Sequence, residues 1–174
     1  MASQPNLVIE TTRLLLRTMQ AEDTDALLHI FADPLVMASF GEPPFTRDQM
    51  ERWLQSNLDH QSKHGYGLFA VILKSEDVLI GDCGLEWMEV EGVSVAELGY
   101  DFRSAYWNQG YATEAATAVR DYAMQTLGLP QLLSLIHVGN LGSQRVAEKI
   151  GMRLVGELIR YGRPYWKYRL ENKT

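Results

Sequence analysis

The order of apolar and polar positions along the chain changes period several times, and each change marks an element. Leu14, Leu15 and Leu16 between Arg13 and Arg17 read as a first strand. From about Glu22 the spacing becomes helical, with Ala26, Leu27, Ile30 and Phe31 on one side, and Asp33-Pro34 stops that helix. Thr46 and Gln49 have the spacing of a capping box and open a second helix. Its apolar stripe is Met50, Trp53, Leu54 and Leu58, and Gly65 supplies its end.

The middle third has strand character. Leu68–Leu73 is a continuous apolar run of the buried-strand type, and residues 74–77 make a turn. Residues 78–88 form the next strand, with Gly81 and Gly84 marking close packing or a bulge. Glu91-Gly92 turns the chain and residues 93–102 complete an antiparallel meander. After a loop at 103–108, a long helix is predicted over 111–127, with Ala115, Val119, Tyr122 and Ala123 inward and Gly128 and Pro130 as its end. Residues 132–138 are strand-like, and a crossover through a helix brings that strand parallel to the one ending near Phe102. A short helix over 142–150 ends at Gly151, and strands at 153–161 and 165–170 close as a hairpin across Gly162-Arg163-Pro164. The expected fold class is α+β: a mixed, mostly antiparallel sheet of about seven strands with about four helices, in the order β-α-α-β-β-β-α-β-α-β-β.

Length and composition narrow the field without changing that picture. The chain has 174 residues, 46% hydrophobic and 22% charged, which suits one domain spanning 1–174 with its core in about 10–170. No apolar run approaches the ~20 residues of a membrane span, and Met1 to Asn6 has no basic and apolar leader pattern, so no membrane role and no secretion are expected. A single cysteine, Cys83, excludes an internal disulfide framework and points to the reducing cytoplasm. The formal net charge of −6 argues against a nucleic-acid partner and leaves room for a cationic substrate.

The segment with the clearest chemistry is Asn108-Gln109-Gly110-Tyr111-Ala112-Thr113, at a junction of strand, loop and helix. The first turn of a helix leaves backbone N–H groups without intrahelical partners, and these donors and the helix dipole favour an anion. Gly110 and Ala112 are small where a diphosphate needs close approach, and Thr113 adds a hydroxyl donor. Spacing alone leaves a second reading open, that of a loop which merely contains a glycine. A P-loop is excluded because Tyr111-Ala112-Thr113-Glu114 follows Gly110 where Lys and Ser/Thr are required, and no G-x-G-x-x-G is present.

Three segments in order resemble the GNAT acetyltransferase superfamily, in particular its RimJ/RimL-like branch, which acetylates ribosomal-protein N-termini. They are Ile9-Glu10-Thr11-Thr12-Arg13-Leu14-Leu15-Leu16-Arg17; Glu97 to Phe102 followed by Tyr106 to Ala115; and Asn140 to Met152. The resemblance implies a GNAT-like fold with acetyl-CoA as co-substrate. It implies that backbone N–H groups of the loop from Trp107 through Asn108, Gln109, Gly110, Tyr111 and Ala112 hold the CoA pyrophosphate. Trp107 replaces the family's usual Gln/Arg, and Asn108 stands where Gly is frequent; if φ is positive there, Asn is the next-best residue. By the same resemblance, the strand at Tyr100, Asp101 and Phe102 bonds the pantetheine arm and polarises the thioester carbonyl. Asn140 corresponds to a pantetheine contact, although a helix N-cap is an equal reading. Many relatives have a tyrosine proton donor where this chain has Ala147, and the RimJ/RimL-like branch offers Ser143 instead. Ser143 could equally be a first-turn residue bonded to backbone.

Amine attack on a thioester also needs a base. Glu97 is the best-placed carboxylate, inside the apolar strand Val95-Ala96-Glu97-Leu98, where desolvation raises its pKa. The alternative is pairing with an arginine such as Arg13 or Arg17. From reference pKa values, roughly one α-amine in seven is neutral at pH 7 against about one lysine in 2,500. One modest base therefore suits an N-terminal α-amine of a protein or peptide better than a lysine. A small-molecule amine (polyamine, amino acid or antibiotic), or CoA binding without turnover, is the alternative, and an unrelated nucleotide binder is remote. Cys83 reads as packing rather than as an acyl carrier. His29, His60, His64 and His137 have no metal-ligand spacing, so no metal is expected. Phe40, Phe45 and Trp53 line a substrate groove or, for Trp53, the core. The aromatic hairpin around Tyr161, Tyr165 and Trp166 suits a homodimer contact or a cofactor cap.

Overall fold

A computed structural model describes residues 7–173; the opening residues read above as lacking a leader lie outside them. Eight strands form one sheet in the order β1-β2-β3-β4-β5-β6-β8-β7. They are β1 (Val8–Glu10), β2 (Leu14–Thr18), β3 (Leu68–Leu73), β4 (Val78–Val90), β5 (Val93–Phe102), β6 (Gln131–His137), β7 (Arg153–Arg160) and β8 (Arg163–Glu171). All neighbours are antiparallel except β5 and β6. Five α-helices accompany them: α1 (Thr24–Phe31), α2 (Pro34–Ala38), α3 (Arg47–His64), α4 (Tyr111–Asp121) and α5 (Leu141–Lys149). No helix among the described residues is long and apolar enough to cross a membrane.

The expected α+β class and strand sequence hold, with one additional strand and one additional helix, each for a local reason. The segment Ile9 to Arg17 is two strands, because Thr11 folds the chain back, accepting from the Leu14 N–H through its hydroxyl at 3.0 Å. Asp33-Pro34 ends α1 and also starts α2: Asp33 caps the Leu35 N–H at 2.9 Å while Pro34 occupies the first turn. The closing hairpin turns on two residues, Tyr161 (φ 52°) and Gly162 (φ 73°), so Arg163 and Pro164 already belong to β8. Successive left-handed residues make the tight turn whose twist matches antiparallel strands, and Glu91-Gly92 does the same between β4 and β5.

Other local signals act as written in the sequence. Thr46 and Gln49 form both bonds of the capping box, and Gly65 ends α3 with φ 77°. Gly84 permits close packing: a Cβ there would sit 2.1 Å from the Gly67 carbonyl oxygen. The register shifts by one residue where β3 passes Gly81. The helix from Tyr111 changes after Asp121 into a π-helical turn, Tyr122–Thr126, before Gly128 (φ 63°).

The sheet divides two apolar layers. On one face α4 and α5 bring Ala115, Val119 and Ala147 against Leu16, Phe69, Leu85 and Leu98. On the other, α1, α2 and α3 bring Leu27, Ile30, Val36, Met50 and Leu54 against Leu68, Ala70 and Leu79. The small residues on α4 let that helix lie close to the sheet, which fixes its N-terminus at the edge of the site.

Candidate active site

The site begins where the sheet stops being continuous. β5 and β6 hold one register pair, Glu97↔Leu133. Beyond it side chains bridge the strands: Ser134 Oγ donates to the Leu98 carbonyl at 2.6 Å, and the Leu135 N–H donates to the Glu97 carboxylate at 3.1 Å. Parallel strands that part in this way leave unpaired backbone along β5 with which an extended ligand can pair. Two cavities adjoin the gap. One, of about 550 Å³, runs past Tyr100, Asp101, Phe102, Asn108, Gly110 and Thr113 to α5. The other, of about 170 Å³, lies over Glu86, Glu97 and Gly99 with Phe40, Trp53 and His137 in its walls. Phe40, Tyr100, Asp101, Asn140 and Ser143 line both.

The larger cavity ends at the start of α4. Gly110 (φ 84°) is the N-cap and makes no side-chain cap, so the first-turn N–H groups remain available. Asn108 has φ 58°, which explains a residue that tolerates the left-handed region where glycine is frequent. The turn is held from outside by Arg13. Its side chain donates to the Glu114 carboxylate at 2.7 Å and to the Gln109 carbonyl at 3.0 Å, and its guanidinium lies 4.3 Å from the Tyr111 ring centre. The Thr11 hydroxyl and the Arg13 N–H also donate to Glu114. Arg13 is therefore committed to Glu114, and Arg17 to Asp23 at 2.8 Å. Neither pairs with Glu97.

Of the residues expected to meet the cofactor, Tyr100, Asp101, Phe102, Asn108, Gly110, Thr113 and Asn140 line the groove. Gln109, Tyr111 and Ala112 do not. The side chain of Gln109 bonds the Ala105 carbonyl at 3.3 Å and the ring of Tyr111 lies under Arg13, so neither side chain enters the groove. Trp107 lines the groove with its indole N–H tied to the Phe102 carbonyl at 2.8 Å. Asn140 caps α5 by accepting from the Ser143 N–H at 3.2 Å while also lining both cavities. Ser143 sits in the first turn of α5; its carbonyl accepts from the Tyr100 hydroxyl at 2.6 Å.

Sequence reasoning missed two groups. Arg13 acts across 101 residues of sequence on Glu114, and only its place in a run of Thr and Arg before a strand hinted at a role. Arg145 and Lys149, four apart on α5, line the groove; their helical spacing was legible, but not the face they share with Asn108 and Gly110.

Glu97 is the carboxylate that bridges β5 to β6, and it lines the smaller cavity. Removal from water pushes its pKa from 4.5 up to about 8, against which the Leu135 N–H pulls down. Asp101 is likewise pushed by burial to about 7. Its cross-strand neighbour Asp82 is wholly buried and raised well above the carboxylate range by burial and then by the charge of Asp101. Burial also raises Glu86, Tyr100 and the Cys83 thiol, which leaves Cys83 an inert packing residue beneath the sheet. Among the described residues no group of three or more His, Cys, Asp or Glu is placed to hold a metal ion. Phe45 and Trp53 pack on Phe31 in the α1–α3 layer, and Trp53 in addition reaches the smaller cavity.

A groove ending at an uncapped helix N-terminus suits a long anionic ligand, and the second cavity beside it, lined by Glu86 and Glu97, has room for a small second molecule. The comparisons agree. The model of the acetyltransferase (GNAT) domain matches residues 13–153. The chain is 32% identical over 161 residues to the uncharacterized N-acetyltransferase YnaD of Bacillus subtilis (strain 168), covering 91% of each protein. Its fold superposes on the acetyltransferase from Agrobacterium tumefaciens str. C58 with a TM-score of 0.82 and 29% identity, covering 95% of this chain and 94% of that one. The fold alone is shared with the ribosomal L7/L12 α-N-protein acetyltransferase RimL in complex with coenzyme A, with a TM-score of 0.76 and 16% identity over 95% of this chain and 98% of that one. The chain belongs to the GNAT acetyltransferase family and is an acyltransferase. Acetyl-CoA is the acyl donor of that family, and the uncapped turn and the cationic wall of the groove fit its phosphates.

Proposed function

We propose that this protein transfers an acetyl group directly from acetyl-CoA to an amine, and that its acceptor is an N-terminal α-amine of a protein or peptide, as in the RimJ/RimL-like branch. The observation that carries this reading is the position of Glu97 beside the opening between β5 and β6, in the wall of the smaller cavity, which shares Tyr100, Asp101 and Ser143 with the groove. In this scheme the turn from Asn108 to Thr113 holds the pyrophosphate, and Tyr100, Asp101, Phe102 and Asn140 hold the pantetheine arm. Glu97 takes a proton from the incoming ammonium; the neutral amine attacks the thioester carbon and the C–S bond breaks; the proton that the new amide nitrogen sheds passes through the Ser143 hydroxyl to the leaving thiolate, so Ser143 ends as it began.

The base is matched to the acceptor. A carboxylate with a pKa of about 8 stands close to the ~7.8 of an α-amine and below the ~10.4 of lysine, so proton transfer from the former is nearly balanced. The lone buried Cys83 accords with a reducing cytoplasmic setting. Calorimetry with acetyl-CoA followed by a free-thiol assay on an amine panel tests the whole reading. Tight binding with thiol release on peptide α-amines is the expected result; release on small amines alone would reassign the acceptor. Binding without release on any amine would make the chain a CoA-binding module, and no binding would remove the proposal. Gly110→Asp should abolish binding, because φ 84° is strained for any side chain and the added charge faces the pyrophosphate.

A further inference from the structure

Five residues line both cavities, and four of them are held by regular structure. Tyr100 and Asp101 belong to β5, Ser143 belongs to α5, and Asn140 is the N-cap of α5. Phe40 is the exception. It lies past the end of α2, in a turn where its N–H donates to the Met37 carbonyl at 3.1 Å and the Gly41 N–H to the Ala38 carbonyl at 3.0 Å. These bonds tie the turn to α2 and not to the sheet. A ring carried on such a turn keeps its place beside a cavity when a neighbouring element fixes the turn from outside.

Arg163 supplies that link from 123 residues away. Its Nη1 donates to the Phe40 carbonyl at 3.1 Å and pairs with the Glu42 carboxylate at 2.8 Å, so one nitrogen grips the turn on both sides of Gly41. Gly41 has φ 66°, and a Cβ there would stand 3.1 Å from His137 Nε2 and 3.3 Å from Arg163 Nη1. The turn is thus seated against the end of β6, at His137, and the start of β8, at Arg163. Those two ends are fixed to each other. The Val138 N–H donates to the Pro164 carbonyl at 3.1 Å, and the His137 ring meets that of Tyr165 edge-on at 5.7 Å. The start of α2 is tied as well, through the Asp33 carboxylate, which accepts from the Ser104 hydroxyl. With side chains 32% and 46% exposed, the Arg163–Glu42 ion pair adds little to global stability. The charge-assisted bond to the Phe40 carbonyl has a local effect instead: it sets where the ring stands.

We infer that Arg163 is a positioning residue for the acceptor. It lines neither cavity, and it acts by holding the Phe40 ring in the wall that the smaller cavity shares with the groove. This rests on the acetyl-transfer reading above, in which the smaller cavity seats the amine. The ring meets the acceptor before and during bond making alike, so releasing it weakens acceptor binding and leaves the chemical step.

The test is thiol release from acetyl-CoA with Ala-Ala-amide as a peptide α-amine and butylamine as a small one. Arg163→Ala should raise the acceptor KM about tenfold, with kcat and the calorimetric Kd for acetyl-CoA each within about threefold of wild type. Because one nitrogen makes both contacts, a lysine ammonium can replace it, and Arg163→Lys should return KM to within about threefold. In a Phe40→Ala background, Arg163→Ala should change KM by less than about twofold, since the ring through which it acts is gone. A KM unmoved in Arg163→Ala overturns the inference, whether or not kcat and Tm fall, and so does a full tenfold effect in the Phe40→Ala background. Amide hydrogen exchange gives a readout that needs no acceptor. In Arg163→Ala the amides of Phe40, Gly41 and Glu42 should exchange about tenfold faster, and that of Gly65 at the end of α3 should not change. If no amine released thiol, the acetyl-transfer reading would fail instead. Exchange would then decide by itself: faster exchange at 40–42 upholds the hold of Arg163 on Phe40, and unchanged exchange overturns it.

Discussion

Replacing Glu97 by glutamine separates the energetic role of this carboxylate from its chemical one. Glutamine keeps the oxygen that accepts from the Leu135 N–H at 3.1 Å, so the bridge between β5 and β6 survives. In the native protein burial holds the acid at about 8 rather than 4.5, while the unfolded chain titrates at the lower value. Between these values the folded state holds a proton that the unfolded state has released, so stability is full below pH 4.5 and declines as pH rises to about 8. At about 1.4 kcal/mol per pH unit the full decline is about 5 kcal/mol, and water in the adjoining cavity reduces this by about half. The Glu97→Gln variant has no group to titrate at this position and no such decline. It should therefore match the wild type near pH 5 and exceed it at pH 9 by about 2–3 kcal/mol, a Tm difference on the order of 5–10 °C for a chain of this size. Turnover moves oppositely. At pH 7 roughly a tenth of Glu97 is ionised, so kcat at saturating acceptor should rise about tenfold toward pH 9, and the variant should lose about 10²–10⁴-fold. Thermal unfolding at both pH values and a thiol-release pH profile read the two effects. Equal Tm at pH 9 would refute the desolvation of Glu97, and unchanged turnover would remove it as the base.

Arg13→Ala removes the side-chain bonds to Glu114 and Gln109 and the stacking on Tyr111, so the Kd for acetyl-CoA should rise about tenfold although Arg13 lines no part of the groove; Arg13→Lys should recover little, lacking the fork that serves both partners. Asn108→Ala should cost about 1 kcal/mol in urea unfolding because of φ 58°, whereas Asn108→Gly should cost none of that strain. Ser143→Ala should lower kcat by less than about tenfold, because a thiolate of reference pKa about 8.5 leaves without much help at neutral pH; a larger loss would give Ser143 a heavier role.

Much of the fold was legible because its signals are local. The capping box at Thr46 and Gln49, the end of α3 at Gly65 and the strand periods of the meander each depend on a few neighbouring residues. The added elements were missed for equally local reasons: Thr11 and Asp33 use their side chains to restart the chain where the pattern read as continuous or finished. The left-handed conformation of Asn108 was a conditional expectation that the structure meets.

What the sequence determined by itself was the class of protein and the tight turn at Asn108–Gly110 that opens α4 without a side-chain cap, because both rest on short segments with fixed backbone geometry. What tertiary structure decided was the site. The gap between β5 and β6, the Arg13 brace on Glu114 and the facing of Asp82 with Asp101 join residues tens of positions apart. Register sets them, and a strand's periodicity tells which residues share a face but not which strand lies alongside. The grouping of carboxylates beside the smaller cavity is therefore a property of pairing between strands, written in none of them alone.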